Sequence, residues 1–411
     1  MMKLKLLAVA CFVIFLCNTH ALAQTGTGVV AGQDTSRRVI TTAVPFLLIS
    51  PDARASGMGD VGAATSADGF SSHWNPAKLS FINKDMGFTL SYTPWLSNIV
   101  SDMSISYLTG FKRISKTQVV ALALRYFDLG DIQLRDELGG ATGQFNPREF
   151  EFNGTYSQVL SENLSIGANA KFVLSNLSGN IATLSNDTKP GTAVAVDLGV
   201  YWTKDLVMGG NDSKLALAGV ISNIGNKITY NSSKNKDFLP ANLRLGSALT
   251  MNLDPYNTIT FALDLNKLMV PTPPIYELED DGSIKVDPNN DNKPVIRDGK
   301  DPTRPYLDAT FSSFGDAPDG FSEELKEFII NFGAEYWYNK VFAARLGYFY
   351  ENPSKGDRKY FSLGLGFRYQ KFGLDAAYLV PQTRNHPLGE TLRFSLSFNL
   401  EAADEESVTE D

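Results

Sequence analysis

The sequence has 411 residues and a formal net charge of -8 at pH 7, from 37 basic and 45 acidic side chains. This acidic balance argues against nucleic acid as a partner, because nucleic-acid binding neutralises phosphates with Lys and Arg. The two cysteines, Cys11 and Cys17, lie near the N-terminus, which excludes disulfides, thiolate catalysis and cysteine metal sites from the rest of the chain.

The first residues have the pattern of a targeting segment. Two lysines precede an apolar run from Leu6 to Leu16, and the small-x-small site Ala21-Leu22-Ala23 follows. The run is too short to cross a bilayer as a helix, which takes about 20 residues. We therefore predict a secretory signal peptide at residues 1–23, cleaved after Ala23.

Residues 24–83 are rich in glycine and alanine. They contain Arg54-Ala55-Ser56-Gly57-Met58-Gly59 and, shortly before the first predicted strand, Asn75-Pro76-Ala77. Small residues permit close approach of one backbone to another, as a segment folded inside a lumen requires. We interpret this stretch as a lumenal hatch, with Arg54, Gly57, Gly59, Asn75, Pro76 and Ala77 as its motif residues.

Residues 84–400 alternate between apolar and polar positions. In the last predicted strand Leu392, Phe394 and Leu396 fall on one face and Arg393 and Ser395 on the other, as in a strand with one apolar side. We predict about fourteen strands, beginning near Lys84, Asp102, Lys116, Arg148, Asn163, Gly191, Lys214, Pro240, Asn257, Lys326, Lys340, Lys359, Lys371 and Gly389.

A soluble sandwich also alternates, so the links between strands decide the fold class. Links after even strands are short and those after odd strands are long, the longest running from residue 269 to 325. Short turns at one end and long loops at the other are typical of an outer-membrane barrel. The prediction is an all-β transmembrane antiparallel barrel with both termini in the periplasm and Trp95, Trp202 and Trp337 in interfacial girdles.

The long loop has a proline-rich start, an acidic middle and an apolar second half. Exposed aromatics on a loop favour partner contact, although they could instead fold back over the barrel mouth as a lid. The hypothesised partner-binding residues are Met269, Val270, Pro271, Pro273, Tyr306, Phe311, Phe314 and Phe321. Ser322, followed by two glutamates, is expected to cap a short helix.

Two further hypotheses are weaker on the sequence. Asp287, Asn289 and Asp291 have the spacing of the first calcium ligands of an EF-hand, but Asn292 replaces the turn glycine and no helix pair flanks them. A solvated acidic loop is the simpler interpretation. No cofactor or metal site is predicted, and the acidic segment 401–411 is expected to be a disordered periplasmic tail.

Catalysis would have to use one of the few histidines outside the signal peptide. Ser71-Ser72-His73 supplies a nucleophile and a base, but neighbours in sequence are not a triad and no carboxylate can be assigned. His386 is expected to be a solvated loop residue. We therefore predict that the protein is not an enzyme and has no catalytic residues.

The hatch segment, including Gly57-Met58-Gly59 and Asn75-Pro76-Ala77, resembles that of FadL-type outer-membrane proteins. Over residues 24–400, including Asp264-Leu265-Asn266 and Pro271-Thr272-Pro273-Pro274, the chain resembles the PorV family of the Bacteroidetes type IX secretion system. The resemblance implies a fourteen-stranded barrel with a lumenal plug, lying in outer-membrane lipid. It also implies three partners: the C-terminal signal domains of secreted cargo, the large translocon barrel Sov (also called SprA), and the surface attachment complex that contains the PorU sortase.

Two functions follow as hypotheses. The first is a type IX component that binds cargo at the translocon and shuttles it to the attachment complex. The alternative is a FadL-like channel for a hydrophobic small molecule, which would need an apolar pocket leading from the loops to an exit.

Overall fold

The computed structural model describes residues 37–97, 99–136, 138–177, 189–231, 236–290, 292–382, 388–389 and 391–400. The chain forms two compact units. Within the described residues, the smaller comprises Glu277–Val295, and the larger comprises Arg37–Tyr276 together with the chain from Ile296 onward. The predicted signal peptide and acidic tail lie outside the described residues.

In the described part of the larger unit, fourteen antiparallel strands close into a barrel. Phe88 of the first strand lies opposite Phe398 of the last, which closes the ring. The predicted fourteen-stranded antiparallel barrel is confirmed. In chain order the strands are β1 Met86–Pro94, β2 Ser104–Ser115, β3 Gln118–Asp128, β4 Arg148–Ser161, β5 Leu164–Asn176, β6 Gly191–Met208, β7 Asn211–Gly225, β8 Asn242–Asn252, β9 Asn257–Leu268, β10 Ile329–Tyr338, β11 Phe342–Tyr350, β12 Lys359–Tyr369, β13 Phe372–Pro381 and β14 Leu392–Leu400.

The outer face of the barrel is apolar and the inner face is polar. In β14, Leu392, Phe394 and Leu396 are exposed, whereas Arg393 and Ser395 between them are buried. Successive side chains of a strand point to opposite faces, so the exposed set forms the outer surface. An apolar outer surface around a polar interior is what a bilayer requires of a closed barrel.

The two ends of the barrel differ in the length of their links. Links after even strands are turns of two to four residues, at 116–117, 162–163, 209–210, 253–256, 339–341 and 370–371. The opposite end carries the long links, among them 129–147, with a short hairpin, and 269–328. We call these the turn end and the loop end, and their asymmetry agrees with the sequence prediction.

The girdle interpretation requires outward-facing tryptophans, and one of the three faces outward. Trp202 shares the outward face of β6 with Val200 and the residues in register with it. Trp337 faces inward, with the Arg368 guanidinium 5.2 Å from its ring centroid, and Trp95 lies beside the interior with Arg393 at 5.8 Å. A shift of one residue along a strand moves a side chain to the other face. The nearness of these tryptophans to strand ends therefore did not determine whether their rings face outward or inward.

The hatch consists of four short elements inside the lumen. They are a 3₁₀ turn at Pro45–Leu48, helix α1 at Ala53–Ser56, helix α2 at Ser71–Trp74 and a 3₁₀ turn at Pro76–Phe81. The carboxylate of Asp52 starts α1 by accepting from the Ala55 amide at 2.8 Å, which satisfies an amide that the helix leaves without a partner.

The first described residues lie at the loop end. The amide of Arg38 donates to the Ser354 carbonyl at 3.1 Å and that of Ala43 to Phe238 at 3.0 Å, and both acceptors belong to loop-end links. The hatch then crosses the lumen once before β1, so the described N-terminal residues and the end of β14 lie at opposite ends. The N-terminal residues 1–36 and residues 401–411 lie outside the described part of the chain, so the expected periplasmic position of both termini stays a prediction.

The long loop contains two helices, α3 at Tyr306–Ser312 and α4 at Phe321–Lys326. The helix expected near Ser322 is therefore present, but Gly320 occupies the N-cap position and the Ser322 hydroxyl donates to the Asp319 carbonyl at 3.3 Å. None of the described helices is long and apolar enough to cross a membrane. In the smaller unit, Val286–Asp287 pairs with Lys293–Pro294.

Candidate functional site

Arg54 joins the hatch to the barrel wall. Its Nε and Nη2 donate to the two oxygens of Glu335 at 2.9 and 2.8 Å, and its Nη1 donates to Asp68 at 2.9 Å. The Nε of Arg345 donates to Glu335 at 2.7 Å. Burial by itself lowers the pKa of Arg54, but the two carboxylates outweigh it and hold the pKa well above its usual range. The hatch is therefore held to the wall by a mostly buried network of ion pairs.

The two hatch glycines lie against the backbone of the wall. A Cβ on Gly57 would lie 2.8 Å from the Cα of Gly364. Gly59 has a φ of +72°, and a Cβ there would lie 2.8 Å from the Phe332 carbonyl oxygen. Both positions need glycine for close approach, and the second also for its backbone conformation.

The Asn75-Pro76-Ala77 element is bound to the wall through its main chain. The Asn75 Oδ1 accepts from the Ala77 amide at 3.0 Å and so starts the 3₁₀ turn that Pro76 begins. The Ala77 carbonyl accepts from the hydroxyls of Ser157 at 3.0 Å and Ser165 at 2.7 Å. All six predicted hatch residues thus lie within the lumen and contact the wall or the turns that shape the hatch.

His73 is held inside the lumen as a neutral hydrogen-bond acceptor. Its Nδ1 lies 2.6 Å from Nη2 of Arg125, and burial first, then the Arg125 charge, hold its pKa well below the usual range. Ser72 shares a hydrogen bond with Tyr107 at 3.1 Å, and Ser71 contacts a hatch carboxylate. The hydroxyls proposed as nucleophiles are thus engaged away from His73.

At the loop end, helix α4 is fastened by a cluster of buried charges that we call the acid clasp. The Arg38 Nε donates to Glu323 at 2.7 Å, and the Lys355 ammonium donates to Glu323 at 2.6 Å. Lys355 reaches Glu327 at 2.8 Å, and Lys267 reaches Glu324 at 3.0 Å. The clasp comprises three carboxylates of α4 and its border and three cations from separate segments: Glu323, Glu324, Glu327, Arg38, Lys267 and Lys355.

Helix α4 has inverted polarity. Glu323 and Glu324 are 2% and 5% exposed, whereas Phe321 and Leu325 are 77% and 56% exposed. A loop helix in water normally buries its apolar face. The clasp compensates the buried carboxylates and leaves the apolar face turned outward.

Helix α3 has a similar exposed face. Leu307 and Phe311 are each 59% exposed, while Ala309 and Thr310 between them are fully buried. Phe314, in the link between the helices, is 42% exposed. We call these five exposed side chains the aromatic face: Leu307, Phe311, Phe314, Phe321 and Leu325.

The hypothesised partner-binding residues therefore divide into two groups. Phe311, Phe314 and Phe321 belong to the aromatic face. The other five are less exposed: Met269, Val270 and Pro271 are buried and Pro273 and Tyr306 are half-buried. Of these, Val270 and Tyr306 pack in one cluster with Ala309 of α3.

Tyr306 connects α3 to the end of β7 and to the link that follows it. Its hydroxyl accepts from the Gly225 amide at 3.0 Å, and its ring stacks on Phe238 at 5.9 Å. The sequence interpretation did not include Leu307, Leu325 or the clasp in its site. The sequence did contain a signal for the two faces of α4. Glu323 and Glu327 are four residues apart, as are Phe321 and Leu325, and residues four apart lie on the same face of a helix.

The calcium hypothesis concerns the smaller unit. There the Asp287 carboxylate accepts from the Asn289 amide at 2.9 Å and closes a local turn. Asp291, like His386, lies outside the described residues. Among the residues that the structure does describe, no group of three or more His, Cys, Asp or Glu side chains could hold a metal ion.

Comparisons with solved structures return barrels of low sequence identity. The monoaromatic hydrocarbon channel TodX, as its deltaS2S3 mutant, aligns with a TM-score of 0.46 and 12% identity over 85% of this chain and 98% of its own. The toluene transporter TbuX of Ralstonia pickettii gives 0.43 and 14% over 86% and 98%. A FadL homologue of Pseudomonas aeruginosa gives 0.39 and 10% over 89% and 100%. The barrel fold is established by the pairing register of the strands, independently of these structures.

Comparison with families is more informative. The family model described as "Type IX secretion system protein PorV" matches residues 32–275. No match was found among curated proteins. The matched range includes the hatch, strands β1 to β9 and the start of the long loop.

Proposed function

We propose a function from the family to which the chain belongs, the PorV family of type IX secretion system proteins, whose membership makes it an outer-membrane component of that system. In this proposal it binds secreted cargo and passes it between larger assemblies. The cargo would be recognised by its C-terminal signal domain at the Sov (SprA) translocon and delivered to the attachment complex that contains PorU. In this proposal the protein carries out no chemistry, and the loop end faces the exterior.

One observation carries the proposal, the outward-turned aromatic face of α3 and α4. Several large apolar side chains exposed on two helices of the same loop indicate a surface that another molecule covers. When a partner covers Phe and Leu side chains, the removal of their apolar surface from water stabilises the complex by about 25 cal/mol for each Å² buried. The set lies on the loop end, where a partner outside the membrane can reach it.

The acid clasp supports the same proposal by fixing the face in place. Helix α4 has six residues, and helices this short are not stable alone in water. Six buried charges on four segments hold its inner face, so little ordering entropy remains to be lost when a partner binds. A preorganised surface of this kind suits repeated binding and release.

The test uses full-length protein in the outer membrane with two serine substitutions on the aromatic face, Phe311→Ser and Phe321→Ser. Affinity capture of this variant should recover cargo or translocon roughly tenfold less well, the effect of losing about 1.4 kcal/mol of contact. Unprocessed secreted proteins should accumulate in the same cells.

The matched control is Ile284→Ser with Val286→Ser in the smaller unit, where the two side chains are 46% and 44% exposed. This variant has lost as many exposed apolar residues of the same loop and should capture partners normally. Equal capture by both variants, each with a normal heat-modifiable barrel, would contradict the proposal. Bound hydrophobic small molecules without any cargo would favour the channel instead.

A further inference from the structure

A groove of about 470 Å³ lies at the loop end of the larger unit. Its walls come from the link after β7, from the start of the long loop and from residues 302–303. Four prolines and two aromatic rings line it, and we call it the proline groove: Pro271, Pro273, Pro274, Pro302, Phe238 and Tyr276. It is a separate surface from the aromatic face, since no residue lines both.

The prolines determine what kind of contact the groove can make. Proline has no amide hydrogen and a fixed φ, so the wall formed by residues 271–274 has a single amide, that of Thr272. This amide already donates to the Asp316 carboxylate at 3.4 Å. A partner strand therefore cannot pair with this wall as it would with a sheet edge. The wall offers apolar ring surface instead, and its rigid backbone needs little ordering when a ligand covers it.

A lysine ammonium lies over one of the aromatic rings. The main chains of Ile228 and Asp237 exchange hydrogen bonds of 2.9 and 2.8 Å, which brings Lys227 beside Phe238. The Lys227 Nζ is 3.9 Å from the Phe238 ring centroid and donates to the Arg304 carbonyl at 3.1 Å. An ammonium has three donors, and Lys227 forms no ion pair among the described residues. It can therefore bind a carboxylate.

The charge of Lys227 is only partly compensated. Burial lowers its pKa from the usual value, and the charges of Asp301 and Asp237 oppose this effect without cancelling it. Lys236 and Asp237 are the other charged residues of the lining, and both are exposed. The lining thus holds two cations and one carboxylate, a balance that a ligand with a carboxylate complements.

The proline groove adjoins helix α3. The ring of Phe238 stacks on that of Tyr306 at 5.9 Å, and Phe238, Val270 and Ala309 form one buried cluster. Tyr306 and Ala309 belong to α3, which also carries two residues of the aromatic face. A segment bound in the groove would therefore lie next to a partner bound on the aromatic face.

We propose that the proline groove binds an extended segment of the partner protein in which one Glu or Asp lies between apolar residues. The carboxylate of this segment binds the Lys227 ammonium, and the flanking apolar side chains cover the Phe238 ring and the prolines. This inference rests on the proposed function, because it names the part of the partner that is recognised beside the aromatic face.

The probe is selected without assuming its sequence. A library of random segments of about seven residues, which extend to about 24 Å, is joined at both ends to a carrier protein so that no chain end is exposed. It is selected on the full-length protein in neutral detergent, and segments that also bind the Lys227→Gln protein are removed. The remaining segments should be enriched in Glu or Asp next to apolar residues. Enrichment of basic segments, or no selection above background, would overturn the proposal.

A double-mutant cycle then tests the pair of charges. Lys227→Gln, and separately Gln in place of the acid of a selected segment, should each raise the Kd roughly tenfold, as expected for the loss of a charge-assisted hydrogen bond. The two changes together should raise it no further, because either change alone has already removed the interaction.

The matched control is Lys300→Gln. It removes the same charge at an exposed position of the loop end that does not line the groove, and it should leave the Kd unchanged. Losses of affinity that multiply in the cycle, or an equal loss with Lys300→Gln, would overturn the proposal.

The outcome can be separated from that of the proposed function, because the variant with Phe311→Ser and Phe321→Ser tests the aromatic face. If that variant loses capture of cargo or translocon while the cycle shows no coupling, the inference about the groove is wrong and the proposed function stands. Decanoate is the small-molecule probe. If its binding depends on Lys227 and no segment is selected, the groove is a site for a small hydrophobic anion and the proposal is overturned.

Discussion

Arg54 and Glu335 are 281 residues apart in the sequence, yet they share two hydrogen bonds of 2.9 and 2.8 Å inside the barrel. One belongs to a four-residue helix of the hatch and the other to the inner face of β10. Because Glu335 also binds Arg345 at 2.7 Å, a single carboxylate connects two guanidinium groups. Glu335 is therefore one of the points at which the hatch is held to the wall, together with the main-chain contacts of Asn75-Pro76-Ala77.

We expect Arg54→Met to destabilise the protein by about 3 to 5 kcal/mol, the usual cost of stranding one member of a buried ion pair. Glu335→Gln should cost more, because it strands both Arg54 and Arg345. For both variants the free energy of unfolding is measured by titration with denaturant, and unfolding is detected as the loss of heat-modifiable mobility on a gel. Values below about 1 kcal/mol for the two variants would show that the network contributes little to stability.

Gly59→Ala should destabilise the hatch by about 1 to 3 kcal/mol, because alanine is strained at a positive φ and its methyl group would overlap the wall backbone. Gly315→Ala is the control, since a Cβ there meets no atom within 4 Å. The thermal midpoint of each purified variant is the measurement. A Gly59→Ala protein as stable as the control would mean that the hatch can shift away from the wall at no cost.

Leu396→Arg should destabilise the barrel by about 2 to 4 kcal/mol if the residue lies near the bilayer midplane. Leu396 is 47% exposed on the outer face of β14. The comparison is Leu253→Arg in a turn, where the cost is expected to fall to about 0 to 1 kcal/mol. Ser395 would be a poor control, because it is buried and its hydroxyl accepts from the Ala53 amide at 2.9 Å. Equal assembly of the two arginine variants would refute the outward assignment.

Acidification should release helix α4. Burial by itself raises the pKa of Glu323, but hydrogen bonds from Arg38 and Lys355 outweigh it and lower the pKa from 4.5 to about 2. A carboxyl whose pKa is lower in the folded state stabilises that state fully above its unfolded value, and the contribution is lost as the pH falls through the folded value. The window is therefore between about pH 4.5 and about pH 2.

Hydrogen exchange of segment 321–327, corrected for the intrinsic effect of pH, measures this release at about pH 5.5 and about pH 2.5. Glu323→Gln should exchange faster at the higher pH and change less on acidification. Protection that does not change with pH in the wild-type chain would show that the carboxyl of Glu323 does not control the clasp.

Removing residues 278–294 and joining the ends through a short Gly-Ser linker should leave the barrel and the aromatic face intact. The Glu277 amide donates to the Val295 carbonyl at 2.8 Å, so the two ends already lie together, and closure entropy changes only slowly with loop length. Outer-membrane yield and partner capture at wild-type levels are the expected results. Loss of capture with normal assembly would move the binding site into the deleted segment.

The sequence alone determined the barrel because its evidence is local. A strand between lipid and a polar lumen must alternate with period two, and Leu392 to Leu396 show that alternation without reference to any other part of the chain. The lengths of the links then distinguish the two ends. The need for small residues in a lumenal hatch likewise appears at Gly57 and Gly59.

Tertiary structure decided the features that depend on distant residues or on a single register position. Trp337 faces inward because it shares parity with Glu335, and an error of one position reverses that assignment. The outward face of α4 could not be predicted from its composition. A Phe-Ser-Glu-Glu-Leu-Lys helix packed on a protein surface in water is expected to bury Phe321 and expose Glu323. Cations brought together from positions 38, 267 and 355 compensate the buried carboxylates, and only the closed barrel places those three segments side by side.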